Sequence, residues 1–160
     1  MTERSILIQA SADAVYRLVA DPIRMADWSP ECVRCRWVGD ARRAEVGARF
    51  RGTSRNGRRR WTTTSTIAEM RNGELFAWEV TYAGQPVARW EYRLEPAGDA
   101  VRLTEAVLDR RGRLLQAVSP LITGSPDRDK RNADTMESTL DAIKAAAEAQ
   151  PAERRRTHRG

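Results

Sequence analysis

Glu105 sits in the run Val101-Arg-Leu-Thr-Glu-Ala-Val-Leu108, where Val101, Leu103 and Val107 share its side of an alternating pattern. An ionised carboxylate on an apolar face must be paired, hydrogen-bonded, or protonated with a raised pKa. That setting suits a ligand anchor or a general acid/base, with Thr63, Ser65, Tyr82 and Tyr92 as inward partners. It suits equally a structural carboxylate bonded to a neighbour, or a strand bulge that turns the group outward. Nucleophilic chemistry has less support. Ser29 has no histidine to activate it, because His158, the one histidine of the chain, lies in the terminal tail. Cys32 and Cys35 form a CxxC, but a structural zinc site needs four ligands. A thioredoxin-like pair would open a helix, whereas Val33-Arg34-Cys35-Arg36-Trp37 alternates as a strand does. The expectation is two reduced thiols, no metal and no cofactor, with no catalytic residue assigned. Arg55-Asn-Gly-Arg58-Arg59-Arg60 makes one hairpin intensely basic. Phosphate backbones or anionic head groups could pair with it. Such turns are more often solvated, and no helix-turn-helix or zinc finger accompanies this one, so nucleic acid is not the leading reading.

These groups must be positioned by a folded scaffold, and the composition supports one. The 160 residues are 41% hydrophobic and 31% charged, which is globular and fits one domain at 1–150 followed by a disordered basic tail at 151–160. That tail carries four arginines against Glu153, a net +3 and half of the formal +6, so the body is only mildly basic. No stretch approaches the roughly 20 apolar residues of a membrane span, and the start lacks a signal-peptide pattern. A cytoplasmic location is expected.

Ser5–Gln9 reads as a strand feeding a short helix with Ser11 as N-cap. Asp21-Pro22 interrupts that helix, and Pro22 can open a second short helix through about Trp28. From Val33 to Leu108 the period becomes two, broken by Asn56-Gly57, Asn72-Gly73, Ala83-Gly84 and Gly98-Asp99. Asn-Gly between alternating runs predicts hairpins with type I′ turns. The result is a meander of about six strands, making about seven with the first. One face collects Val33, Cys35, Trp37, Phe50, Trp61, Ile67, Phe76, Trp78, Trp90, Leu94 and Leu103; the other collects arginines, glutamates and threonines. Leu114–Ile122 suits a short helix. Ser125, Pro126 and Asp127 announce a long one to about Ala149, with Ala133, Met136, Leu140, Ile143 and Ala147 as its apolar stripe. That stripe belongs on the apolar face of the sheet, giving an α+β fold: a curved antiparallel sheet with two short helices after the first strand and a long C-terminal helix over its concave face.

Several motifs carry a family resemblance: Ile8-x-Ala10-x-x-x-x-Val15, Val19-Ala20-Asp21-Pro22, Met25-Ala26-Asp27-Trp28-Ser29-Pro30-Glu31, Gly47-Ala48-Arg49-Phe50-x-Gly52, Trp90-x-Tyr92-x-Leu94 and Leu103-Thr104-Glu105. With the order of elements, these resemble the START-like, or SRPBCC, superfamily of helix-grip proteins, in its bacterial polyketide cyclase/dehydrase-like branch. The resemblance covers residues 5–149. It implies a cavity between sheet and long helix, lined by Phe50, Trp61, Trp78, Val80, Tyr82, Trp90, Tyr92 and Leu103 from the sheet and by Met136 and Leu140 from the helix. Thr63, Ser65 and Glu105 would be its polar groups, and Trp28 would gate or plug its mouth.

The function this implies is binding of a small hydrophobic or aromatic molecule, a lipid or polyketide-like metabolite. Two alternatives stay open: a cofactor-free cyclase or dehydratase using Glu105 and a tyrosine, and an interaction protein acting through the basic hairpin and tail. The expected partner is a small hydrophobic molecule, with a homodimer left open.

Overall fold

The computed structural model describes residues 1–150; the basic tail anticipated at 151–160 lies outside the described residues. The elements are β1 (Thr2–Ile8), α1 (Ala12–Val19), a 3-10 turn (Pro22–Arg24), α2 (Met25–Trp28), β2 (Cys32–Trp37), β3 (Arg49–Asn56), β4 (Arg59–Arg71), β5 (Leu75–Tyr82), β6 (Gln85–Ala97), β7 (Ala100–Asp109), α3 (Arg113–Thr123) and α4 (Arg128–Glu148). The Ser11 hydroxyl caps α1 by accepting from the Ala14 amide at 3.1 Å, and Asp21 does the same for the Ile23 amide at the proline turn.

Seven strands form one antiparallel sheet in the order β1-β7-β6-β5-β4-β3-β2. Five hairpins carry the chain from β2 to β7, and β1 closes the far side by pairing with β7 from Thr2↔Val107 to Ile8↔Val101. Hairpins form at both Asn-Gly sites, but the turn geometry differs from expectation. Asn56 pairs with Arg59, so Gly57 and Arg58 form the loop with positive φ at Gly57 alone, the pattern of a II′ turn. The turn with positive φ at both central residues is Ala83-Gly84.

Three register shifts bend the sheet, between Cys32 and Arg34, Ile67 and Glu69, and Val80 and Thr81. The first corrects the alternation expected for β2. Val33 is bulged outward and exposed, while Cys32 turns in beside Cys35.

Helix α4 begins later than Ser125. Asp127 is its N-cap and accepts from the Lys130 amide at 3.0 Å, while the Ser125 hydroxyl donates to the Asp127 carbonyl. A carboxylate complements the positive end of the helix better than a hydroxyl does. Leu140, Ile143 and Ala147 pack in the same buried cluster as Phe50, Trp78, Tyr92 and Leu103, and Met136 packs with Val107 and Trp90. The long helix therefore covers the tryptophan-bearing surface. Burying Leu140, Ile143 or Met136 contributes about 1.5–3 kcal/mol relative to leaving it in water. Polar bonds fix the helix along the sheet margin: Lys144 Nζ donates to the Leu7 carbonyl at 2.7 Å, and Glu148 accepts from the Gln9 amide at 2.9 Å.

The outer face of the sheet divides electrostatically. On β4 to β7 and β1, Arg89 lies 3.1 Å from Glu69 and 3.3 Å from Glu79, and Arg93 lies 2.6 Å from both Glu91 and Glu3. On β2, β3 and the start of β4, Arg36 stands opposite Arg51 and Arg55 opposite Arg60. Among the described residues no helix is long and apolar enough to cross a membrane.

Candidate functional site

Packing is uneven inside the grip. At one end an aromatic group fills the space. Phe76 and Trp78 have ring centroids 5.5 Å apart, Trp78 and Tyr92 are also 5.5 Å apart, and Trp78 stacks on Trp90 at 6.4 Å with planes 10° apart. Their strand register places them directly opposite one another, Phe76↔Tyr92 and Trp78↔Trp90. At the other end, between β4, β6, β7 and the helices α3 and α4, lies a cavity of about 140 Å³.

Trp61, Val87, Ala88, Trp90 and Val107 form its sheet wall. The opposite wall is polar, with Ser119 and Thr123 from α3 and Arg128, Asp129 and Asn132 from the first turns of α4. Two ion-pair clamps hold that wall. Arg111 bonds Asp109 at 2.9 and 2.6 Å and reaches the Ser119 hydroxyl at 2.9 Å, tying the end of β7 to α3. The Arg111 guanidinium holds the Asp109 carboxyl below the usual carboxylate range. Arg128 makes a two-pronged contact with Glu31 at 3.0 and 3.1 Å, bonds Asn132, and lies over Trp61 at 5.8 Å from the ring centroid. The start of α4 is thereby fastened both to the segment before β2 and to the tryptophan wall.

Of the residues anticipated for a site, Trp61 and Trp90 stand on the cavity wall. Phe50, Trp78, Val80, Tyr92, Leu103, Leu140 and Trp28 pack against one another in the core, and Met136 packs behind Trp90. Ser65 is buried, while Thr63 and Tyr82 are half-buried. The alternation could not place Val87 on the wall, because the shift between Val80 and Thr81 puts it out of phase with Trp90. Ser119 and Thr123 did have a signal: two hydroxyls four residues apart, and so on one side, in a mostly apolar helical segment.

Glu105 is only 5% exposed. Tyr92 donates to its Oε1 at 3.4 Å, and Oε2 has no hydrogen-bond partner among the described residues. Loss of hydration pushes the carboxyl up to about 8, against a weaker opposing effect of the Tyr92 bond, so Glu105 is protonated at neutral pH. Burial and the neighbouring carboxyl together raise Tyr92 well above the ordinary phenol value. This neutral pair could hold or shuttle a proton, but neither residue is on the cavity wall. Cys32 and Cys35 are free thiols with sulfurs 3.5 Å apart. Their mutual bond lowers the Cys32 pKa and, together with burial, raises that of Cys35. Among the described residues no cluster of three or more His, Cys, Asp or Glu side chains could hold a metal ion.

A family model described as "Polyketide cyclase / dehydrase and lipid transport" matches residues 2–148. No curated protein matches the chain. Among solved structures, a Polyketide_cyc-like protein from Corynebacterium glutamicum is 29% identical, with 99% of this chain and 95% of that one covered and a TM-score of 0.58. The di-domain ARO/CYC StfQ of the steffimycin biosynthetic pathway has a TM-score of 0.70 at 13% identity, with 91% of this chain matching 49% of that one. Aha1 from Colwellia psychrerythraea, described as a dimer, has a TM-score of 0.61 at 13% identity over 92% of this chain and 96% of that one. At 13% identity the last two likenesses show the fold alone.

Proposed function

The chain belongs to the polyketide cyclase / dehydrase and lipid transport family, and from that premise we propose that it binds a small apolar or aromatic molecule, a lipid or polyketide-like metabolite, in the cavity beneath α3. The observation that carries this reading is the contrast between the cavity's walls. Trp61 and Trp90 offer apolar surface, while the facing polar side chains are already oriented by the Arg111 and Arg128 clamps. Preformed sites for small molecules combine apolar lining with a few fixed polar groups in this way.

Size sharpens the proposal. A dry cavity of about 150 Å³ accepts benzene, so the space of about 140 Å³ admits one ring. A metabolite of several fused rings enters only if α3 swings outward. Quenching of tryptophan fluorescence by a planar aromatic probe, together with mass spectrometry of molecules carried through purification, tests the reading. Saturable quenching that is weakened in Trp61→Ala supports it. Absence of saturable quenching and of any co-purified apolar molecule overturns it.

The buried Tyr92–Glu105 pair favours a second reading, a cofactor-free cyclase or dehydratase in which the neutral Glu105 carboxyl serves as general acid. This requires the cavity to extend inward past Trp90 when a substrate enters. Turnover of a polyketide-like substrate that survives Glu105→Gln would remove the residue from the mechanism.

A further inference from the structure

The two cysteines of the chain lie where an uninterrupted strand would keep them apart. Residues three apart on a regular strand point to opposite faces, with Cα atoms about 10 Å from each other. In β2 the bulge takes one residue out of the count. Cys32 stands opposite Ser54 and Cys35 opposite Gly52, so only two steps of the ladder separate them. Two steps turn both side chains to the inner face and bring their Cα atoms to about 6.6 Å, within the span of about 4.4–6.8 Å that a disulfide bridges. The sulfurs are 3.5 Å apart. Gly52 has no side chain to stand between them, and a Cβ there would already touch Cys35 Sγ at 3.6 Å.

The bulge also makes the two thiols unequal. Val33 swings out into water and Cys32 beside it is half-buried, whereas Cys35 is 7% exposed and packs in the core. Their mutual bond holds the Cys32 thiol below its ordinary range, and the same bond, with burial, pushes Cys35 up. A reachable thiolate beside a buried, protonated thiol is the arrangement of an attacking and a resolving cysteine. Neither residue is on the cavity wall, so the binding reading makes no use of them.

We propose that Cys32 and Cys35 form a dithiol site for hydroperoxides, with Cys32 as the attacking sulfur and Cys35 as the resolving one. The Cys32 thiolate attacks a peroxide oxygen. The S–O bond forms as the O–O bond breaks, and the departing alkoxide or hydroxide takes up the proton that Cys32 lost. Cys35 then attacks the sulfenic acid on Cys32: the S–S bond forms, the S–O bond breaks, and the hydroxide leaves as water with the Cys35 proton. Two thiols and one hydroperoxide become a disulfide, one alcohol or water, and one further water. Two equivalents of an external thiol reopen the bond and leave as their own disulfide. Closure requires the sulfurs to approach by about 1.5 Å. β2 can give by that much, because as an edge strand it is held by β3 on one side alone. The inference is independent of what the cavity holds.

Hydrogen peroxide added to the full chain under native conditions, followed by alkylation in denaturant and mass spectrometry, tests it. Because the chain has two cysteines, a disulfide within one chain must join them. The expected product has lost two hydrogen atoms, takes up no alkylating agent and runs as a single chain without reductant. Dithiothreitol is expected to restore both alkylatable thiols. Cys35→Ser should stop at the sulfenic acid, captured on Cys32 by dimedone. Cys32→Ser should react at least about tenfold more slowly, since its remaining thiol is buried and protonated. Two thiols that stay alkylatable after peroxide overturn the proposal, as does a disulfide linking two chains. Equal capture of dimedone by the two variants removes the assigned order of attack and overturns it. Closure in denaturant but not in the native chain assigns the reaction to the unfolded protein and also overturns it.

Discussion

The two ends of the space between sheet and helices are built from the same residue types to opposite effect. At the packed end Phe76, Trp78 and Tyr92 meet one another and share a buried cluster with the stripe of α4. At the α3 end Trp61 and Trp90 have aromatic surface to spare, because what faces them is clamped polar groups that cannot collapse onto it. An aromatic side chain closes a core when its opposing element is apolar and free to approach. When that element is pinned by ion pairs at a fixed distance, the same side chain becomes a wall.

The comparison can be strained from either end. Phe76→Ala at the packed end is expected to cost about 3–5 kcal/mol, lowering the melting temperature by on the order of 10 °C, while probe binding by the folded fraction stays unchanged. A loss of probe affinity per folded molecule would mean that the two ends are one compartment.

Glu105→Gln acts on the buried pair with Tyr92 and gives a pH signature. The native carboxyl titrates near 8 and the free side chain at 4.5, so between those values the native state holds the proton more tightly than the unfolded chain. Stability of the parent protein therefore falls as pH rises through that window, by a few kcal/mol in all. Below about 4.5 no such penalty is present. In the Gln variant this decline disappears, and the variant is the more stable protein above pH 8. Denaturant melts from pH 5 to 9 check this; parallel curves for the two proteins would mean that Glu105 is solvated.

Glu31→Ala releases Arg128 and is expected to cost about 2 kcal/mol, since hydrogen bonds to charged groups are worth about 1.5–3 kcal/mol each and this pair is partly solvated. It should also loosen the cavity wall and weaken probe binding, measured by the same fluorescence titration. Trp61→Ala has the smallest effect on stability, about 1 kcal/mol from the lost contact with Arg128 and part of its surface. It nonetheless carries a large expected loss of probe affinity. If the order of these stability effects were reversed, the division into a packed end and a walled end would fail.

The sequence was informative where one period governs a segment. Alternation over β4 to β7, the proline after Asp21 and the stripe from Ala133 to Ala147 lead directly to the sheet, the short helices and the covering helix. It was uninformative where the period slips. The bulge that exposes Val33 and the one that brings Val87 to the cavity each add a residue, which breaks the alternation at that point while Cys35, Trp90 and Tyr92 beyond it still face inward. Both tryptophans of the cavity wall were readable as inward, but which inward residues touch space and which touch each other depends on where α3 is held. That is decided by Arg59, Asn56 and Arg111, long-range contacts that leave no local pattern.

The bulge at the head of β2 bears on how the molecule behaves in a crowd. β2 ends the sheet, and a regular edge strand is a template onto which another chain can add its own strand. Here the ladder is interrupted between Cys32 and Arg34, and Arg34 and Arg36 project from the exposed margin. At the other end β1 is fastened by Lys144 and Glu148 of the long helix. Each flank thus carries a device, a bulge on one side and helix contacts on the other, that hinders the addition of a foreign strand to a sheet rich in tryptophan.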